Sequence, residues 1–309
     1  MRFASAPKIE AETDLEARAI ADYLGLAIGD ALGATVEFMT PREIQVKYGT
    51  HKDIVGGGWL NLVKGRVTDD TEMALALGTS ILTHLHVDPK GAAEAFSDWM
   101  ATKPVDVGHT VRRGILNYRQ TGATAIAEDP QSAGNGACMR CLPVALFTLG
   151  APWKAVKKAN AVQSHVTHNA PLADAGTETV IAMVHAGLTA KPLVVGFDFA
   201  AELAETHPPY AAKRRIESPS GFIVETLQAV FQAFKDGDGF EGCLIDVVNR
   251  GGDADTTGAI AGMIAGAFYG LDAIPERWIK ALDPQVRDAC IDQARALIKL
   301  CPAWLHYKA

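Results

Sequence analysis

Apolar residues recur every three or four positions through most of the chain, the spacing of helices with one buried face. The pattern predicts helices over Leu15–Gly33, Thr71–Leu85, Pro89–Met100, Thr110–Thr121, Met139–Leu149, Trp153–Ser164 and Ala170–Leu188. It continues with Asp198–Glu205, Ile223–Phe234, Gly239–Asn249, Thr256–Tyr269, Glu276–Ala281 and Gln285–Leu300. Strict apolar–polar alternation is scarce. "FIVETLQAVFQAF" opens like a strand but runs too long for one. The connectors carry Gly, Pro, Asp and Asn, and no Ser/Gly linker, composition break or fixed-period repeat divides the chain. The expected architecture is all-α: one compact multi-helix domain over residues 1–309, with 1–13 as a flexible extension.

Two of these helices carry a second pattern. Gly25, Gly29 and Gly33 line one face of the first, and Gly258, Gly262, Gly266 and Gly270 line one face of another. A face without side chains lets two backbones approach closely, so the pair is expected to pack tightly at the centre. Thr256 to Leu271 is uncharged but shorter than the ~20 residues of a membrane span, and Asp30 counts against lipid around the first helix.

Composition narrows the functional classes. The chain has 309 residues, 48% of them hydrophobic, enough for a sizeable core. A net charge of −7 gives no basic footprint for nucleic acid or an anionic membrane. Cys138 and Cys141 form a C-x-x-C, but no second pair or suitable histidine completes a zinc set; the five cysteines read as reduced thiols in a cytoplasmic protein. "MRFASAPKIEAETDLE" has no apolar core of the kind a signal peptide needs.

The candidate chemistry begins at two distant turns. "GRVTDDTEMAL" places Asp69 and Asp70 between threonines at the start of a helix, and "NRGGDADTTGAIAG" does nearly the same with Asp253, Asp255, Thr256 and Thr257. Asp and Thr are good helix caps, which accounts for one residue at each turn, not for paired carboxylates. Clustered carboxylates repel unless a cation compensates them. An all-oxygen set suits hard octahedral ions such as Mg²⁺ or Mn²⁺, and four acids suit two ions rather than one. Gly251, Gly252 and Gly258 would let backbones crowd a shared centre. Glu37 closes the first glycine-lined helix between apolar neighbours. Gly134, Asn135 and Gly136 precede a predicted helix start, where backbone N–H groups can cradle an anion; the alternative is a plain turn. Asp106 and His109, then His165 and His168, lie in loops before helices.

Taken in order, "GLAIGDALGATVEF", "VTDDTEMAL", "PVDVGHT", "GNGACMRCLPVAL", "SHVTHNAPLADAG" and "NRGGDADTTGAIAGMIAGAFYG" resemble the ADP-ribosylglycohydrolase family, in particular its bacterial branch acting on dinitrogenase reductase. The resemblance implies an all-α fold around a dinuclear Mn²⁺ or Mg²⁺ centre. It implies hydrolysis of the N-glycosidic bond between ADP-ribose and a protein arginine, in that branch on the nitrogenase iron protein. By motif, Thr68, Asp69, Asp70, Asp253, Asp255 and Thr256 would hold the metals. Glu37 falls where the family places an acid near them. Asp106 would hold the ribose or the arginine, and Gly134, Asn135 and Gly136 would meet the diphosphate with His168 against the ADP-ribose. The branch also implies partnership with PII-type signalling proteins and recruitment to the membrane through them.

Two other readings use the same residues: a two-metal phosphohydrolase of a nucleotide, and a non-catalytic ADP-ribose-binding relative. "ETHPPYAAKRRIESPSG", with Lys213, Arg214 and Arg215, reads as a solvated loop or a docking segment for a protein substrate.

Overall fold

The computed structural model describes residues 9–308, with side chains to 306; residues 1–8 of the expected extension lie outside the described residues. Fifteen α-helices run in chain order: α1 Asp14–Gly33, α2 Pro41–Tyr48, α3 Asp69–His84, α4 Pro89–Ala101, α5 His109–Thr121, α6 Leu142–Thr148, α7 Trp153–Ser164 and α8 Pro171–Leu188. Then come α9 Leu193–Thr206, α10 Ile223–Asp236, α11 Gly239–Asn249, α12 Ala254–Tyr269, α13 Glu276–Ala281, α14 Pro284–Ile298 and α15 Pro302–Lys308. Two short 3₁₀ turns, Pro208–Tyr210 and Leu271–Ala273, complete the set. No strand forms among the described residues; Gly57 with Leu62 and Gly134 with Phe222 make isolated bridges.

The glycine faces decide the centre of the molecule. A methyl group built on Gly25 would lie 2.1 Å from the carbonyl oxygen of Gly262, and one on Gly29 would lie 1.9 Å from that of Gly258. At the two ends of the seam Gly33 meets Ala254 and Gly266 meets Ala21 in the same way. α1 and α12 therefore touch backbone to backbone along their length. Both are buried nearly all round, and α3, α8, α11 and α14 surround them. The chain beyond α12 stays in the core through Trp278, Cys290, Ile291, Leu297 and Trp304 among others. The N-terminal lead-in is tied down as well: Ile9 packs on the core, and Lys299 reaches Glu12 at 2.8 Å.

Four elements differ from the pattern-based expectation, each for a local reason. α2 is polar and buries only Ile44, so it carries no periodic signal; a capping box between Thr40 and Glu43 starts it. α9 begins at Leu193, five residues early, because Pro192 sets its start and the apolar run after it continues the helix. α6 begins at Leu142 rather than Met139, since the N–H groups of Cys138 and Met139 fold back onto the carbonyl of Asn135. α15 is a single short helix after the predicted end of the pattern.

The segment 205–221 is less free than a solvated loop. Arg215 is paired with Asp236 and Asp246, and the carbonyl of Pro219 accepts the N–H of Asp253 at 2.8 Å. All five cysteines are buried and unbridged. No described helix is long and apolar enough to cross a membrane.

Candidate active site

A helix start ordinarily engages a local side chain to satisfy its first N–H groups. α3 does otherwise. Asp30, near the end of α1, accepts the Thr68 N–H at 2.9 Å and the Thr71 N–H at 3.2 Å, together with both threonine hydroxyls. Thr68 makes no cap bond of its own. The turn is thus capped from a neighbouring helix, which leaves Asp69 and Asp70 free of that capping. α12 repeats the device: Asp253 occupies the cap position without a side-chain cap bond, and its carboxylate instead accepts from Asn135 Nδ2 at 2.6 Å. Local capping does not account for either acidic turn.

The seam between α1 and α12 brings the two turns together. Gly33 abuts Ala254, so α12 starts where α1 ends, and α3 starts on Asp30 of that same end. One cavity of about 370 Å³ opens there. Glu37, Asp69, Asp106, Gly134, Asn135, Gly136, His168, Asp253, Asp255 and Thr256 all line it, with His109 at its edge. Thr68 and Asp70 are fully buried just below, their hydroxyl and carboxylate 3.2 Å apart. One oxygen each of Glu37, Asp106 and Asp255 lies within 4.8 Å of the other two. His165 is apart from this group, paired with Asp174 at 2.8 Å.

The electrostatics are those of crowded, dehydrated like charges. Burial pushes the Glu37 carboxyl up to about 8 against the opposing hydrogen bond from Trp59, and the charges of Asp106, Asp253 and Asp69 push the same way. Burial also lifts Asp69 to about 8, with Asp106 next in effect. Asp70 and Asp255 are held well above the usual carboxylate range by burial and then by neighbouring acids, Asp30 foremost for Asp70 and Asp70 foremost for Asp255. Burial raises Asp106 and Asp253 too.

A divalent cation fits this set. Asp70 Oδ1 is buried with no hydrogen-bond partner, an acceptor that no donor of the chain meets. The donors to a metal are all hard oxygens, as Mg²⁺ and Mn²⁺ prefer. Buried Glu37 and Asp255 with half-buried Asp106 could hold one such ion.

Two N–H groups of the glycine loop are engaged within the chain, and its glycines pack against a histidine. The N–H groups of Gly134 and Asn135 are already given to Ser132 and Gly221 carbonyls at 2.9 and 3.0 Å. What the glycines provide is room for His168: a methyl on Gly134 would sit 2.9 Å from His168 Nε2, and one on Gly136 would sit 2.7 Å from its Cε1. Arg140 donates to the Thr167 hydroxyl at 2.8 Å, which in turn lies 2.8 Å from His168 Nδ1. Burial, then the Arg140 charge, lowers His168 to about 3, so the ring is neutral. Nδ1 is engaged by the Thr167 hydroxyl, and the ring lines the cavity.

Pattern reading missed four contributors. Asp30 positions α3; Thr226 shares Asn135 Nδ2 with Asp253, at 2.9 Å; Arg140 stacks on Phe96 4.1 Å away behind His168; Trp59 donates its indole N–H to Glu37 at 2.6 Å. Asp30 had a readable signal, an acid inside an otherwise apolar, glycine-lined helix. The other three had none, because their meaning comes from which distant segment they face. A larger groove of about 760 Å³ runs between α7, α8 and α9, but it contains no acid cluster.

Comparison with known proteins agrees with this geometry. The family model for ADP-ribosylglycohydrolase matches residues 11–305. The chain is 46% identical to the ADP-ribosyl-[dinitrogen reductase] glycohydrolase of Rhodospirillum rubrum, over 92% of this chain and 96% of that one. It is 32% identical to an ADP-ribosylarginine hydrolase of Pseudomonas putida, over 85% of this chain and 73% of that one. A solved structure, an ADP-ribosylglycohydrolase-related protein complex, superposes with a TM-score of 0.82 at 33% identity, over 93% of this chain and 99% of that chain. Fold, acid-lined cavity and matched length lead to one conclusion: the chain is a hydrolase and belongs to the ADP-ribosylglycohydrolase family.

Proposed function

We propose that the chain hydrolyses the N-glycosidic bond between ADP-ribose and an arginine side chain on a protein, releasing ADP-ribose and restoring the target. The observation that carries the reading is the meeting of two sequence-distant acidic turns, with Glu37 and Asp106, around one cavity. The target is dinitrogenase reductase, in keeping with the activity for which the Rhodospirillum rubrum relative is named.

Thr68, Asp69, Asp70, Asp253, Asp255 and Thr256 would hold two divalent cations, Mn²⁺ or Mg²⁺. Such a pair, when bound, draws electron density from sugar hydroxyls and makes a nearby water more acidic. The chain's own groups do the rest. The surrounding carboxylates stabilise positive charge as it develops on the ribose carbon during bond cleavage. Glu37, fixed by Trp59, and Asp106 exchange protons with the leaving guanidine and the incoming water. His168 lies against the ADP-ribose, and Asn135 keeps Asp253 in place.

The test is release of ADP-ribose from an arginine-modified protein. Asp69→Ala, Asp255→Ala or removal of divalent ions by chelation should each abolish it, while circular dichroism stays that of the folded chain. Full activity after any of these removes the metal role. Product masses decide against a phosphohydrolase: free ADP-ribose and unmodified arginine are expected, rather than AMP or phosphate. That second reading is the weaker, since the relatives matched over most of their length are named for ADP-ribosyl hydrolysis.

A further inference from the structure

Phe38 and Trp59 break the rule that large apolar side chains are buried. They are 64% and 52% exposed, their ring centroids lie 5.4 Å apart at 49°, and both stand at the mouth of the acidic cavity. The backbone that carries Phe38 is costly to hold. Phe38 adopts φ +61°, a left-handed conformation unfavourable for a bulky residue, and its N–H is pinned to the Gly252 carbonyl at 2.7 Å. Trp59 follows three glycines with φ of +75°, +83° and +70°. That turn is closed by the bridge between Gly57 and Leu62, and it is pressed so closely on α1's end that a methyl on Gly58 would lie 2.5 Å from the Ala34 carbonyl. The strain gains no burial, so folding alone does not explain why the pair is presented here.

Electrostatics select what the pair would receive. An aromatic face is the negative pole of the ring, and it attracts a cation placed over it. The carboxyls of Glu37, Asp69 and Asp106 line the same cavity and offer oxygens to accept the N–H groups of such a cation. A flat, delocalised cation suits the place better than a neutral base. We propose that Trp59, backed by Phe38, is the platform on which the guanidinium of the modified arginine lies while its bond to ribose is cut. The assignment rests on the arginine-linked activity proposed above and makes Trp59 a determinant of specificity for that linkage. The indole then has two separable duties: its face receives the guanidinium, and its N–H orients Glu37.

Two substitutions separate them. Trp59→Gln retains a side-chain N–H for Glu37 but has no ring face; Trp59→Phe retains a face but no N–H. Steady-state rates on an ADP-ribosyl-arginine peptide, and calorimetric binding of free ADP-ribose, are measured for both and for the unaltered chain. Trp59→Gln should raise KM for the arginine-linked peptide about tenfold, the scale of one partly desolvated cation–π contact, and leave ADP-ribose affinity within about twofold. Trp59→Phe should keep KM near that of the unaltered chain, lower kcat and shift its pH profile. An unchanged KM in Trp59→Gln overturns the platform. So does an equal loss of ADP-ribose affinity, which would mean that the ring stacks on adenine. If the unaltered chain releases no ADP-ribose from arginine, the activity reading fails and the platform falls with it; activity with an indifferent Trp59 overturns the platform alone.

Discussion

Asp30 never faces the cavity, yet it sets the aim of residues that do or that lie directly beneath it. It spends both oxygens on the first turn of α3, which frees Asp69 and Asp70 from capping. Asp30→Ala would strand two buried N–H groups and two hydroxyls, at a cost of about 3 kcal/mol or more, read as a lower denaturation midpoint. Divalent-ion affinity by calorimetry should fall about tenfold or more, as it does when the support of a metal ligand is removed. Asp30→Asn, which keeps one acceptor oxygen, should recover part of both; an ion affinity unchanged in both variants would refute the positioning role. At this scale the sequence was legible in kind rather than in contact. Side-by-side acids at 69–70 and 253–255 announce an oxygen-rich site. That Gly134 and Gly136 make room for an imidazole depends on where His168 lies, and no local pattern carries that.

Among the helices, the seam between α1 and α12 is the most exacting contact. Methyl groups on Gly29 or Gly262 would each lie 1.9 Å from a facing carbonyl oxygen, and backbone on both sides leaves nothing flexible to yield. Gly29→Ala and Gly262→Ala should each destabilise the fold by about 3 kcal/mol or more, at the upper end for overpacking. Gly122→Ala is the contrast: that glycine ends α5 at φ +75° with open space around it, so its cost is conformational and nearer to about 1 kcal/mol. Urea midpoints of the three variants check the order, and a Gly29→Ala chain as stable as Gly122→Ala would contradict the seam. The four-residue glycine spacing makes this contact readable from the sequence, because only a helix aligns such positions. α2 was not readable for the converse reason: a helix that buries one side chain, Ile44, leaves no periodic trace.

Taken whole, the molecule gathers buried acids where its two distant acidic turns meet. Glu37 and Asp69 keep their protons up to about 8 in the folded chain, against ordinary carboxylate values when unfolded. Between about pH 5 and pH 8 the folded chain therefore binds more protons than the unfolded one, and its stability falls as pH rises. With divalent ions removed, the melting temperature should drop across that window. Added Mn²⁺ or Mg²⁺ should raise it, and by more at about pH 8 than at about pH 6, because ion and proton compete for the same oxygens. A melting temperature that climbs with pH in the ion-free protein would contradict the account.

The separation of the two acidic turns along the chain also has a consequence in time. A polypeptide growing from its N-terminus acquires Asp69 and Asp70 early but has no counterpart for them until residues 253–256 emerge, and α1 exposes its bare glycine ridge until α12 arrives to cover it. Any product of interrupted synthesis that stops short of Ala254 is thus left with half a cage and an unsheathed central rod. Any ion held between the two turns would load late, after residue 254 has emerged.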